Sequence, residues 1–251
     1  MRREQISLQL YTVRDLTARD MPGTLRRLAE IGYTAVEFAG YGGFSPLDLR
    51  PDLDGLGIRV SGAHVPYDSW ETDPDAVLAD MRALGCTNAI VPITPPELRR
   101  DVDSISTLAG NFNRWGELCH AEGITFSYHN HDFEFVPLGG TTLWDRLIRE
   151  TDPKLVHLEL DLYWAEYGGA DPDAMLRELG DRISLVHLKD MAPDDTRADL
   201  PVGEGNMPWP KLLETADEAG VDWYVVEQDN PRDALEDVRT SLRNLEQMAD
   251  G

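Results

Sequence analysis

One short stretch of this chain is unusually rich in residues that can bind a metal ion or move a proton. Residues 128–135 read YHNHDFEF, with two histidines, His129 and His131, and a glutamate, Glu134, among them. Every second side chain of a strand lies on the same face, so the two histidines are predicted to point the same way. One is expected to bind a metal ion while the other orients substrate or moves a proton. Glu134, further into the loop, is expected to reach over the site.

Three more residues of the same chemical types stand at the ends of later apolar segments, namely Asp161, His187 and Glu227. Imidazole and carboxylate groups are the ligands that divalent cations use in proteins. Any one of them alone is more simply explained as a hydrogen-bonded side chain at a strand end. Together with His129 or His131, however, they would repel each other or stay unsatisfied without a cation. The pattern therefore predicts a site for one divalent metal ion.

Five further residues are expected to surround this site. Arg14, Glu37 and His64 follow or lie on early strands, and each alone is a weak signal for substrate binding. Glu37 has a simpler alternative role, which is pairing with Arg14 or Lys189. Trp164 could form an apolar platform for a sugar ring, although a core position explains it nearly as well. Lys189 is expected to supply positive charge near a developing oxyanion or an acidic group of the substrate.

These residues fall on a regular alternation of short apolar segments and helical segments. The candidate strands are residues 6–11, 34–40, 59–65, 88–93, 124–130, 155–161, 183–189 and 223–228. Eight such units, with no glycine-rich nucleotide-binding fingerprint after the first strand, predict an α/β fold that closes into a (β/α)8 TIM barrel. In such barrels the active site lies at the C-terminal ends of the strands, where the candidate residues stand.

The segments between the strands are predicted to be helices. They lie at about residues 22–31, 45–54, 73–84, 101–121, 141–150, 171–180, 209–219 and 231–247. Several open with an Asp-Pro or Asn-Pro start signal and end in a glycine suited to the left-handed turn before a strand. No linker or low-complexity tract separates the units, so residues 1–251 are expected to form a single domain.

The sixth candidate strand carries two more polar residues on the predicted face of Asp161. Strand alternation puts His157 and Glu159 there, inside a barrel that is otherwise packed with apolar side chains. Buried polar groups need hydrogen-bond partners. We therefore interpret His157 and Glu159 as a satisfied buried pair rather than as catalytic residues.

The charge balance excludes some classes of partner. The chain has 46 acidic and 23 basic residues, a formal net charge of −23. A surface this acidic repels nucleic-acid backbones and anionic lipids, so neither nucleic acid nor membrane is an expected partner. The acidic residues are scattered along predicted helices, which is typical of a surface adapted to high salt. With no signal peptide or long apolar run recognised, a cytoplasmic location is the expectation.

Seven segments resemble the sugar phosphate isomerase/epimerase family, which has a xylose isomerase-like TIM barrel and is related to the family 2 apurinic endonucleases. The resemblance runs nearly from end to end. Its segments are LQLYTVRD (8–15), GTLRRLAEIGYTAVEFAGYGG (23–43), YHNHDFEF, ELDLYWAEYGGADP (159–172), VHLKDM (186–191), VGEGNMPW (202–209) and VVEQD (225–229). The resemblance implies a small sugar or polyol as substrate and is compatible with a homo-oligomer.

The resemblance also implies roles for single residues. It suggests three ligands for a divalent ion, commonly manganese, magnesium, cobalt or zinc: Asp161, His187 and Glu227. In the family's ketose epimerases a strand-five glutamate is the fourth ligand and shares proton transfer with the strand-eight glutamate. Histidines occupy that position here. His129 is therefore expected to replace the ligand, with His131 or Glu134 as the second proton carrier beside Glu227.

The leading hypothesis is a divalent-metal-dependent isomerase or epimerase that removes a proton next to the carbonyl group of a small sugar, keto sugar or polyol. A keto-inositol dehydratase or a 3-keto-glycoside lyase would begin with the same step and remains an open alternative. An apurinic endonuclease would need more metal ligands and a basic surface, which six histidines and a net charge of −23 do not supply. A non-catalytic sugar-binding protein is the remaining alternative.

Overall fold

A computed structural model describes residues 1–249 of the chain, so residues 250–251 of the predicted domain lie outside the described residues. The strands are β1 Ile6–Gln9, β2 Ala35–Ala39, β3 Arg59–His64, β4 Asn88–Val91, β5 Thr125–His129, β6 Val156–Asp161, β7 Ile183–Leu188, β8 Asp190–Met191, β9 Asp199–Leu200 and β10 Trp223–Val226. β1 to β7 and β10 form a closed parallel barrel in chain order, in which β10 pairs with both β7 and β1. This confirms the predicted (β/α)8 barrel. The short β8 and β9 pair separately and antiparallel.

Helices surround the barrel. Their bounds are α1 Arg14–Thr17, α2 Met21–Ile31, α3 Pro46–Leu56, α4 Tyr67–Thr72, α5 Pro74–Leu84, α6 Val102–Ala121, α7 Leu143–Glu150, α8 Leu162–Tyr167, α9 Pro172–Leu179, α10 Trp209–Glu218 and α11 Ala234–Ala249. Turns of 3₁₀ helix lie at Arg3–Gln5, Leu10–Val13, Pro96–Arg99, Phe133–Phe135 and Gly180–Arg182. Among residues 1–249, no helix combines the length and apolar character that crossing a bilayer demands.

The helix starts follow from local sequence. An acidic or hydroxyl side chain precedes a proline at four of them, and that side chain accepts a hydrogen bond from a backbone N–H of the first helical turn. The capping residues are Asp20, Ser45, Asp73 and Asp171. Proline lacks an N–H and has a φ angle suited to the first turn, so the pair defines each start sharply. These four helices therefore begin within one residue of the predicted starts.

Two regions differ from the predicted elements. The first strand ends at Gln9 because Leu10–Val13 turns into 3₁₀ helix, and the Gln9 side chain accepts a hydrogen bond from the backbone N–H of Tyr11 (3.1 Å). After β7 the chain forms β8, and the buried Asp190 carboxylate there binds the following loop. It accepts hydrogen bonds from the Gly203 and Met207 backbone and from the Trp209 indole, at 2.8–3.0 Å. Both strand ends are thus fixed by side-chain acceptors.

Candidate metal centre

The ligand set expected from the sequence comes together at the C-terminal mouth of the barrel. His129 ends β5, Asp161 ends β6 and pairs in register with His187 of β7, and Glu227 directly follows β10. All four are at most 4% exposed. One nitrogen or oxygen atom from each lies within 4.8 Å of those of the other three.

The distances identify the atoms that face one another. His187 Nδ1 lies 2.8 Å from Glu227 Oε2 and 4.0 Å from Asp161 Oδ2, and His129 Nε2 also lies 4.0 Å from Asp161 Oδ2. Ligand atoms around a tetrahedral ion with bonds of about 2.1 Å are roughly 3.4 Å apart. The four side chains therefore have the spacing as well as the chemistry to hold a divalent cation with little movement.

The charges of the groups at the barrel centre also favour a bound cation. Four carboxylates at the barrel centre, from Glu37, Glu159, Asp161 and Glu227, are fully or almost fully buried, and the buried Lys189 contacts only two of them, Asp161 and Glu227. Buried carboxylates that are not compensated cost several kcal/mol each. Two imidazoles and two carboxylates form a mixed nitrogen and oxygen donor set of the kind that divalent transition metals take. The residues present thus fit a divalent ion.

Lys189 lies behind the ligand carboxylates. Its Nζ atom is 2.8 Å from Asp161 Oδ2, 2.8 Å from Glu227 Oε2 and 2.9 Å from Asp229 Oδ2. Although burial disfavours its charge, the three carboxylates raise the Lys189 pKa well above its usual value. Burial raises the pKa of Asp229 to about 6, although Lys189 opposes this shift. The ammonium group therefore neutralises protein carboxylates. A contact with substrate would require Lys189 to line the cavity described below, and it does not line it.

A second layer of polar side chains lies against the inner sides of the histidines. One oxygen of Glu159, Oε2, is 2.7 Å from His64 Nε2, 3.0 Å from His129 Nδ1 and 3.2 Å from His187 Nε2. Burial disfavours the charge of His64, but Glu159 and Glu37 outweigh it and raise its pKa to about 9. His129 instead has a pKa lowered to about 4, chiefly by burial.

Glu37 completes this inner layer. Its Oε1 atom accepts a hydrogen bond from Gln9 Nε2 (2.7 Å) and lies 2.9 Å from His187 Nε2 and 3.2 Å from His64 Nε2. A Cβ atom on Gly62 of β3 would come within 2.5 Å of Glu37 Oε2, so glycine leaves the space that this carboxylate fills. The alternative considered for Glu37, a pairing with Arg14 or Lys189, is not formed, because the carboxylate points into the barrel toward histidines.

The predicted pair of His157 and Glu159 is not formed either. His157 is half-buried, and its Nδ1 atom is 3.1 Å from Ser184 Oγ on β7. Residues two apart on a strand are separated by about 6.6 Å, beyond hydrogen-bond reach unless their side chains converge. Glu159 turns to the histidines at the mouth, so the two residues of the expected pair have different partners.

The two candidate proton carriers after β5, His131 and Glu134, have different surroundings. Glu134 is fully buried; it accepts hydrogen bonds from the Tyr128 hydroxyl and, at 2.8 Å, from the backbone N–H of His131. Burial raises its pKa to about 7. Glu134 thus does not reach over the mouth as expected, because the 3₁₀ turn at Phe133–Phe135 folds it back. The His131 ring lies against Phe133, with centroids 5.7 Å apart, and its pKa is lowered to about 2 by burial.

The polar cluster borders a cavity of about 400 Å³. This volume lies within the roughly 300–1,000 Å³ of small-molecule sites. Its lining residues with chemical function are His64, His129, His131, Glu227 and Asp229, and its other lining residues are Tyr11, Ala39, Gly40, Pro66, Pro92 and Ile93. The cavity has polar and apolar lining residues, and the polar ones include two candidate ligands, His129 and Glu227, so it is suited to a small polar molecule.

Three of the four residues expected to bind substrate do not line this cavity. Arg14 donates hydrogen bonds to the backbone oxygens of Asp229 (2.8 Å) and Tyr11 (2.9 Å), so it holds the loop after β10 in place. Trp164 lies beside His131, with ring centroids 5.8 Å apart, and lines a neighbouring cavity of about 370 Å³ together with Tyr163 and Tyr167. Of the four expected substrate-binding residues, His64 alone lines the cavity, and Glu37 lies in the inner layer.

Sequence reasoning missed three residues that shape the site. Asn130 joins the ends of β5 and β6: its side chain accepts a hydrogen bond from the Asp161 backbone N–H (2.9 Å) and donates one to its carbonyl (3.3 Å). Asp229 contacts Lys189, and Glu159 contacts three histidines. Each stands one or two residues from a predicted ligand. Two signals could have identified these residues: their proximity to predicted ligands, and the need of several buried histidines for a negatively charged partner.

The chain is similar in sequence and in structure to known proteins. Inosose dehydratase of Geobacillus kaustophilus is 32% identical over 199 residues, which cover 68% of this chain and 62% of that protein. The chain spans less than two thirds of the length of the curated relatives it matches. A sugar phosphate isomerase/epimerase of Parabacteroides distasonis superposes with a TM-score of 0.83 at 26% identity, covering 97% of this chain and 93% of that one.

A more distant structure shares the fold alone. The IOLI protein, whose crystal structure contains a zinc atom, superposes with a TM-score of 0.77 at 14% identity, covering 98% of each chain. The family described as xylose isomerase-like TIM barrel matches residues 25–248. This match covers most of the chain, and its fold is the barrel seen here. The chain therefore belongs to the family of xylose isomerase-like TIM barrels.

Proposed function

We propose that this chain is a divalent-metal-dependent enzyme that removes a proton from the carbon next to the carbonyl group of a small keto sugar or keto-inositol. The observation that carries the proposal is the convergence of His129, Asp161, His187 and Glu227. Two of these residues, His129 and Glu227, line a cavity of about 400 Å³. A site of this size beside a charged donor set is suited to a polyhydroxylated ring rather than to a large apolar ligand.

The proposed chemistry uses groups of the chain that border the cavity. A divalent ion held by the four ligands would supply Lewis acidity to the carbonyl oxygen and to a neighbouring hydroxyl of the substrate. Glu227 and His131 line the cavity and are the groups proposed to accept and return the proton. Glu134 fixes the backbone of His131 from below, and Phe133 supports its ring. Glu134 thus serves His131 in place of carrying a proton itself.

Dehydration of an inosose is the outcome that the relatives favour. After the C–H bond breaks, its electron pair forms a C=C bond, and the hydroxyl group of the next carbon along leaves with its bonding electrons, takes up the abstracted proton from its carrier and departs as water. The curated relatives that match parts of this chain at 26–37% identity are named inosose dehydratases. Isomerisation or epimerisation, favoured by the Parabacteroides structure, would return the proton without loss of hydroxide.

Deuterium exchange tests the shared first step. The protein, loaded with Mn²⁺, would be incubated in D₂O with inososes, ketoses and 3-keto sugars and followed by NMR. We expect exchange of the C–H next to the carbonyl, together with an unsaturated or diketone product from an inosose. Exchange with formation of an isomer or epimer would favour the second outcome. Metal binding without exchange in any compound would overturn the enzymatic proposal in favour of sugar binding alone.

Two variants test the proton carriers. Glu227→Gln and His131→Asn are each expected to slow exchange about 10²- to 10⁴-fold, the usual contribution of a general acid or base. His131 is not among the proposed ligands, so His131→Asn should retain its metal, measured by elemental analysis. His157→Asn, at a histidine outside the cavity, is the matched control and should exchange at the wild-type rate. Full activity of Glu227→Gln with metal still bound would contradict the role of Glu227.

A further inference from the structure

We propose that Glu159 is the positioning residue of the metal centre: one of its carboxylate oxygens determines which ring nitrogen of both histidine ligands faces the metal ion. This inference rests on the proposed metal site and assigns a role to a residue that the proposed chemistry does not use. Its carboxylate is fully buried on β6, two residues before the ligand Asp161.

The contacts of Glu159 select one nitrogen from each ligand. Its Oε2 atom lies 3.0 Å from His129 Nδ1 and 3.2 Å from His187 Nε2. The other nitrogen of each ring, His129 Nε2 and His187 Nδ1, lies on the side of Asp161. The two ligands therefore use different ring nitrogens toward the metal, and the same carboxylate oxygen faces the remaining nitrogen of both.

The hydrogen-bond capacity of these groups fixes the tautomers. An ionised carboxylate only accepts hydrogen bonds, so a ring nitrogen beside it carries hydrogen unless a cation lies between the two groups, as proposed for His187 Nδ1 and Glu227 Oε2 (2.8 Å). A histidine ligand then presents its unprotonated nitrogen to the metal, an arrangement in which the outer carboxylate also raises ligand basicity. Glu159 thereby prepares His129 Nε2 and His187 Nδ1 as lone-pair donors. For His187 Nε2 the nearer acceptor is Glu37 Oε1, at 2.9 Å against 3.2 Å for Glu159 Oε2, so the two carboxylates share this role.

The inner residues could alternatively form a cation site themselves, because ligand atoms of His64, His129, Glu159 and His187 also lie within 4.8 Å of one another. An ion there would need the unprotonated Nδ1 of His129 and Nε2 of His187. Those are the nitrogens that must carry hydrogen when the outer ion is bound. Positioning by Glu159 and an inner ion therefore predict opposite tautomers of the same two rings.

Zinc binding measured by competition with a chelator tests the role of Glu159. The wild type is expected to bind one Zn²⁺ per chain, and Glu159→Gln to bind it about 10- to 100-fold more weakly, the usual cost of losing an outer-shell partner. Glu37→Gln, which touches one ligand instead of two, should have a smaller effect. His157→Gln, on the same strand but without contact to a ligand, should bind as the wild type does.

The nitrogen chemical shifts of the histidine rings supply a readout that a merely structural role would not move. In the Zn²⁺-loaded wild type we expect hydrogen on His129 Nδ1 and on His187 Nε2, and in Glu159→Gln a loss of that pattern. The wild-type spectrum alone decides the question should the variant fail to fold, since hydrogen on His129 Nε2 would overturn the proposal.

Three binding results separate the possible failures. Normal zinc binding with an unchanged affinity in Glu159→Gln would overturn the positioning role and leave the proposed metal site intact. Two ions per wild-type chain, one of them lost in Glu159→Gln, would make the inner cluster a cation site and likewise overturn positioning. A wild type that binds no divalent ion would overturn the metal site and, with it, the role of Glu159.

Discussion

The two halves of the barrel mouth present different chemistry to the same cavity. Strands β5, β6, β7 and β10 end in the candidate ligands, held by hydrogen bonds and ion pairs to one another. Strands β1 to β4 and the residues after them supply mainly apolar or small surfaces, including Tyr11, Pro66, Pro92 and Ile93. His64, which ends β3, is the exception. Under the proposed function, metal binding and substrate shape would be determined by separate parts of the chain.

The largest expected effect is on the charged half, at Asp161. Asp161→Asn keeps an oxygen for the cap of α8, where Oδ1 accepts a hydrogen bond from the Trp164 backbone (2.8 Å), but it removes the anionic ligand. Zinc sites with four ligands bind with about 10–16 kcal/mol, so one ligand is worth roughly 4 kcal/mol, or a thousandfold in affinity. Zinc competition would measure this. A zinc affinity of Asp161→Asn equal to that of the wild type would contradict the assignment of the candidate ligands to the charged half.

We expect Glu134 to make the stability of the fold depend on pH. This residue follows β5 in the sequence but is buried beneath the charged half of the mouth. Its pKa, about 7 against an ordinary 4.5, makes the folded chain bind a proton more readily than the unfolded chain does. The resulting stabilisation is complete below pH 4.5 and is lost as pH rises through 7, a change of about 3 kcal/mol.

Urea unfolding of the wild type and of Glu134→Gln at pH 5 and pH 8 checks this prediction. The variant cannot ionise, so its free energy of unfolding should fall less between the two pH values than that of the wild type. Parallel pH dependence in the two proteins would show that Glu134 does not titrate in this range.

A stability effect without an effect on the site is expected at Asp190, one residue beyond Lys189. Asp190→Asn replaces one of the two acceptor oxygens by an NH₂ group, which can only donate hydrogen bonds. That group would face donors, either the N–H groups of Gly203 and Trp209 or the N–H group of Met207. Loss of charge-assisted hydrogen bonds should lower the free energy of unfolding by about 2 kcal/mol. The folded variant should bind zinc as the wild type does. Weakened zinc binding would show that the charged half extends further than the ligands.

The smallest effect is expected on the apolar half. Tyr11 is 42% exposed and lines the cavity, and Arg14 lies over its ring at 4.2 Å. Tyr11→Ala should raise KM several-fold, about 1 kcal/mol of lost contact, and leave kcat and zinc affinity unchanged. Tyr11→Phe, which keeps the ring, is the control and should retain the wild-type KM. A fall in kcat for Tyr11→Ala would contradict the separation of the two halves.

The elements and the convergence of the candidate ligands were predictable from the sequence because each rests on a local pattern. Short apolar runs, capped prolines and C-terminal glycines place every barrel strand and each of the eight main helices within three residues. A closed barrel then forces the strand ends to converge. That is why Asp161, His187 and Glu227, although distant along the chain, could be expected together with a histidine of β5.

The orientation of individual polar side chains was not predictable. Glu134 faces inward because the Tyr128 hydroxyl and the His131 backbone offer it donors, and Arg14 faces the carbonyl of Asp229, 215 residues away. Glu37 has histidine partners only because Gly62 leaves space for it. Each of these choices depends on groups that are brought together by folding and that no spacing along the chain reveals.

The position of Lys189 bears on how the ion would be exchanged. Its ammonium group contacts carboxylates of two candidate ligands, Asp161 and Glu227. Departure of a divalent ion therefore leaves a resident positive charge between these groups, and electrostatic repulsion does not drive the ends of β6 and β10 apart. The chain carries its own counter-ion, so the proposed metal ion would be released and replaced while the barrel stays closed.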